Sequence, residues 1–139
     1  MTPAIPPSVY DRPYDRPFAL PPDPIVLDIP VPPSINITRR SHGPGERALA
    51  SWRVSADKTL LASGQYRAAK KHPKFSRFEL EITLSEDCKL DLDNPIKCAI
   101  DYLRRIELIH DDSQKYLRKL TVSWGIAPAG ARIVLRSAE

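Results

Sequence analysis

The stretch FELEITLSEDCKLDLDNPIKCAIDYL, from Phe78 to Leu103, decides how this chain is read. Phe78, Leu80, Ile82 and Leu84 alternate with Glu79, Glu81 and Thr83, the period of a strand with one wet face. Ser85 to Cys88 make a turn, and Lys89 to Asp93 read as a short second strand with Leu90 and Leu92 on its apolar side. Asp91 and Asp93 then share the opposite face, because side chains on a strand repeat every second residue. Asn94 suits an N-cap and Pro95 the first helical position, so a helix is expected to start there. Ile96, Ala99, Ile100, Leu103 and Ile106 form its buried stripe, and Lys97, Asp101 and Arg104 cluster away from it.

Upstream, Ile25, Leu27, Ile29 and Val31 alternate with Val26, Asp28 and Pro30, which predicts a half-buried strand; Pro30 makes it an edge strand or its end. Leu49, Trp52, Ala56 and Leu60 recur at helical spacing, predicting a helix from Glu46 to Ala62 that Gly64 terminates. The run GQYRAAKKHPKFSR reads as a basic loop. Downstream of His110, DDSQ is an acidic turn, Leu120, Val122 and Trp124 mark a strand, IAPAGA is a turn and RIVLR a last strand. The order β, α, β, β, α, β, β predicts an α+β domain over residues 24–139, with a mixed or antiparallel sheet and helices to one side. Residues 1–23 hold a tandem Tyr-Asp-Arg-Pro and many of the 15 prolines. They read as a disordered tail, or else as a docking peptide for a partner's aromatic groove.

At 139 residues the chain suffices for one cored domain. A net charge of +4 fits an acidic partner such as nucleic acid without requiring one. Cys88 and Cys98 lack the spacing of a zinc site and read as reduced thiols, and no stretch has the length and apolarity to span a bilayer. The expectation is a soluble, cytoplasmic protein with no membrane partner.

The acids carry the chemistry. Two close carboxylates repel unless a cation sits between them, and oxygen donors without histidine or cysteine favour magnesium. Asp111 and Asp112, read as opening the next strand, could complete such a site, and Lys97 could reach a phosphate held there. The helix N-terminus would favour the same phosphate. The competing reading makes Lys97 and Asp101, four residues apart, an ordinary surface ion pair, and His110 a surface histidine rather than a base. Arg67, Lys70, Lys71, Lys74 and Arg77 are either a solvated loop or a phosphate-facing patch.

DLDNPIKCAIDYL, IHDDSQ and the VPPSIN at Val31 to Asn36 together resemble the RusA-type Holliday-junction resolvases, small magnesium-dependent endonucleases. The resemblance spans Pro24 to Arg136 and is strongest from Asp91 to Gln114. It implies a single RusA-like domain and a crossover junction endodeoxyribonuclease that resolves branched DNA by paired symmetric nicks, in recombination and repair. By the same resemblance Asp91, Asp93 and Asp112 are metal ligands, Asp111 is a further ligand or orienter, and Lys97 steadies the phosphate. The ion is Mg2+, with Mn2+ as a substitute. Asn94 and Asp101 match structural positions of the motif. Members are homodimers, as two symmetric nicks require. Asn36, Arg39, Arg40, Arg67, Lys70, Lys71, Arg104 and Lys115 are candidate DNA contacts. The alternatives are a junction- or DNA-binding module of the same fold without turnover, and a hydrolase of small phosphoesters.

Overall fold

A computed structural model of the chain describes residues 24–34 and 43–138. The 1–23 segment read as a tail lies outside them, as do Asn36, Arg39 and Arg40. Elements follow in the order β1 (Ile25–Ile29), α1 (Gly43–Ser63), α2 (Gln65–Lys71), β2 (Phe78–Ser85), α3 (Ile96–Arg105), β3 (Leu117–Gly125) and β4 (Ala131–Ser137). The strands form one mixed sheet ordered β1-β4-β2-β3, in which β4 runs antiparallel to both β1 and β2 while β3 runs parallel to β2. The α+β reading and the mixed sheet hold.

The register explains the layering. Leu80 pairs with Leu135 and Leu120, and Ile82 pairs with Ile133 and Val122, so the apolar sides of neighbouring strands coincide. That face packs on Trp52, Ala56 and Leu60 of α1 and on Ile96, Ala99, Ile100 and Leu103 of α3 in a single core. The other face carries Asp28, Arg132, Glu81 and Arg136, with Arg132 Nε donating to Asp28 Oδ1 at 2.8 Å and Arg136 Nη1 to Glu81 Oε1 at 3.4 Å. The wet face expected of Phe78 to Leu84 is therefore present.

Three sequence expectations fail. Lys89 to Asp93 is not a strand: residues 88–95 form a bend and turn closed by the Asn94 N–H on the Asp91 carbonyl at 3.1 Å. With β4 paired to one side of β2 and β3 to the other, no position beside β2 was left for it. The helix accordingly starts at Ile96 with Pro95, not Asn94, at its N-cap. The basic run after Gly64 is not all loop either, since Gln65–Lys71 is helical. Gly64 does end the preceding helix, at a φ of 82° that an L side chain rarely adopts. Neither Cys88 nor Cys98 is in a disulfide. No helix among the described residues is long and apolar enough to cross a membrane.

Candidate active site

Lys97 stands one residue into α3, whose buried residues Ile96, Ala99, Ile100 and Leu103 fix the helix against the core and so leave Lys97 facing out. Its Nζ donates to Asp112 Oδ2 at 3.0 Å and lies 3.3 Å from Asp101 Oδ1. Arg104, two turns along, reaches Asp101 Oδ1 with Nη2 at 3.1 Å and Asp111 Oδ1 with Nη1 at 3.0 Å. The charges thus alternate in one chain of contacts, Asp112, Lys97, Asp101, Arg104 and Asp111. Of the two sequence readings of Lys97, the i,i+4 ion pair with Asp101 forms, while the hydrogen bond to Asp112 is a contact the sequence did not specify.

Asp112 arrives there by two devices. At the end of α3 the Leu108 N–H bonds the Leu103 carbonyl and the Glu107 N–H bonds the Arg104 carbonyl, a Schellman cap with Glu107 at a φ of 66°. The chain, reversed by that cap, is then pinned by Leu108 and Ile109, both buried, through the Phe75 N–H on the Leu108 carbonyl and a parallel bridge between Phe75 and Ile109. Asp111 and Asp112 follow directly, in the connection to β3 rather than at the start of a strand as expected.

The mutual contact shifts both titrations apart. The hydrogen bond to Asp112 raises the Lys97 pKa above its ordinary value, with Asp101 adding to it against some loss from burial. For Asp112 burial alone would raise the carboxyl, but the Lys97 hydrogen bond and charge outweigh it and the pKa falls below the ordinary carboxylate value. Lys97 is thus held as the ammonium and Asp112 as the carboxylate.

Asp91 and Asp93 sit on the exposed turn before α3 and make no ion pair among the described residues. Asp93 and Lys97 lie together on the rim of a groove of about 370 Å3 whose walls are Leu92, Ile96, Ile100, Leu120 and Val122. The donors are all carboxylate oxygens, which suits a hard cation such as Mg2+. Among the described residues no three acids, histidines or cysteines form a ready-made cluster. Asp91 and Asp93 stand on a turn rather than on a strand face, and Asp112 accepts from Lys97 through Oδ2.

The proposed DNA contacts divide by engagement. Arg67 and Lys71 are exposed on α2. Lys70 instead donates to the Ile106 carbonyl at 3.3 Å and lies over the Tyr66 ring, and Lys115 lies over Tyr116. Arg104 is committed to Asp101 and Asp111. Sequence reasoning missed that bridging role and the groove itself, because the groove joins a turn, a helix and an edge strand that only the topology brings together. The chain matches no family model and no curated protein.

Proposed function

We propose that the chain is a RusA-type endonuclease that nicks branched DNA, with Asp91, Asp93 and Asp112 as ligands of Mg2+, or Mn2+ in its place, and Asp111 as a further one. The observation that carries this reading is the Lys97 to Asp112 contact at 3.0 Å, across 15 positions of sequence, beside Asp93 on one groove rim. Magnesium, when bound, supplies charge neutralisation for the scissile phosphate. Lys97 would supply a positive charge to the same phosphate, and Arg104 holds Asp111 and Asp101 in place through its two hydrogen bonds. Two such chains acting as a homodimer would cut two like strands.

A second reading, a junction-binding module of the same fold without turnover, is favoured by the hydrogen bond that engages Asp112 with Lys97. The assay is a synthetic four-way junction with and without Mg2+. Symmetric nicks that need the metal and vanish in Asp93→Asn support the nuclease. Retardation of the junction on a gel with no nicking under Mg2+ or Mn2+ overturns it in favour of the binding module.

A further inference from the structure

The two edges of the sheet are finished differently. At β1 the Asp28 N–H is taken by Gln65 Oε1 at 2.7 Å, Gln65 Nε2 returns to Asp28 Oδ2 at 3.0 Å, and Trp52 Nε1 bonds the Pro30 carbonyl at 3.0 Å. The helices α1 and α2 thereby close that edge. At the other edge β3 has β2 on one side and, among the described residues, no strand on the other. It is 9 residues long, has no proline, and exposes Leu120 by 43% and Trp124 by 42% on the side that should face the core, with Ile126 more exposed just beyond. A long unpaired edge with apolar side chains invites strand addition.

We propose that a second copy of this chain covers the edge, β3 pairing antiparallel with β3 about a twofold axis at Val122. The proposal rests on the pairing of two copies put forward above and adds the surface through which they meet. About that axis Leu120 of one copy falls opposite Trp124 of the other, Thr121 opposite Ser123 and Val122 opposite itself. Because side chains repeat every second residue, the apolar side of one β3 continues that of the other, and the polar sides do likewise. Arg118 falls opposite Ile126 and Lys119 opposite Gly125, so no like charges meet. The two Lys119 residues lie roughly 20 Å apart along the pair, whereas an axis at Leu120 would bring them within roughly 7 Å. This self-complementarity is what selects a second copy over an unrelated peptide strand.

A twofold normal to the sheet keeps both α3 helices on one face. The grooves walled by Leu120 and Val122 then meet across the axis, and both Asp93 and Lys97 rims open to the same side. An isologous contact of this kind closes on itself and leaves no free β3 edge.

The test uses the full chain. Mass by light scattering at about 0.1 mM should give a dimer, and Leu120→Lys or Trp124→Lys should each weaken dimerisation at least about tenfold, with unchanged circular dichroism. Oxidation of Val122→Cys in a Cys88→Ser background should trap a covalent dimer, since self-opposed Cβ atoms of a strand pair lie about 4.5–5.5 Å apart. Val26→Cys on β1, exposed in the monomer, should not be trapped in the same way. A monomer at that concentration, or a dimer indifferent to Leu120→Lys and Trp124→Lys and not captured by Val122→Cys, overturns the proposal. Junction nicking is scored on the same samples: a dimer that fits the interface but never nicks sinks only the nuclease, and a nicking dimer indifferent to these variants sinks only the interface.

Discussion

Lys97 is the residue on which stability and chemistry separate. Its side chain is 40% exposed and that of Asp112 24%, so solvent screens the pair and its contribution to folding is under about 1 kcal/mol. On the proposed reading, Lys97→Met should shift the melting temperature little while lowering junction nicking on the order of a hundredfold, because a cation at a developing phosphoryl charge is worth far more than a surface ion pair. The pH dependence follows from the two shifts. The raised Lys97 pKa means its contribution is full below the ordinary value of 10.5 and is lost as pH climbs through the raised one. The lowered Asp112 pKa means its contribution is full above 3.8 and is lost as pH falls through the lowered one. The difference in melting temperature between wild type and Lys97→Met should thus be flat between those values and shrink beyond both ends.

At the scale of elements, the cap of α3 sets where Asp111 and Asp112 stand. Glu107 occupies the left-handed position of a Schellman cap, where glycine carries no Cβ penalty and any other residue costs about 1 kcal/mol. Glu107→Gly should accordingly raise the unfolding free energy by a few tenths to about 1 kcal/mol in urea melts, without changing the m-value. Gly64 and Gly130 make an instructive pair. Both have positive φ, but a Cβ at Gly64 meets open space while one at Gly130 would stand 2.9 Å from the backbone N and Cγ2 of Val31. Gly64→Ala should cost about 1 kcal/mol from strain alone, and Gly130→Ala measurably more in the same urea melts, because Val31 must move as well. Between α1 and α3 the Tyr102 hydroxyl donates to Asp57 Oδ1 at 2.5 Å, and the Tyr102 ring meets Trp52 edge-on at 5.1 Å. Burial, then that hydrogen bond, drive the Tyr102 pKa well up, so the phenol stays a donor and ties the helix of Lys97 to its neighbour.

For the whole molecule, the proposed junction binding rests on phosphate contacts and would be largely counterion release. Affinity measured by gel retardation should fall steeply and linearly on logarithmic axes as salt rises. Arg67→Gln and Lys71→Gln should each flatten that slope by about 1, as befits exposed cations, and Arg104→Gln should do something different. Arg104 is spent on Asp101 and Asp111, so its loss should leave the slope nearly unchanged and show instead in the cleavage rate.

What was legible in the sequence was whatever depends on a residue and its near neighbours along the chain. The alternation of Phe78 to Leu84, the stripe of Trp52, Ala56 and Leu60, the stop at Gly64 and the Lys97 to Asp101 pair all follow from periods of two and of about 3.6. What the tertiary structure alone decided depends on which elements become neighbours. Lys89 to Asp93 has the alternation of a strand but becomes a turn, because β3 and β4 take both sides of β2. Asp112 meets Lys97 because the cap at Glu107 and the bridge at Phe75 return the chain to the start of α3. Periodicity assigns a side chain to a face, and only the packed topology determines what lies across from it.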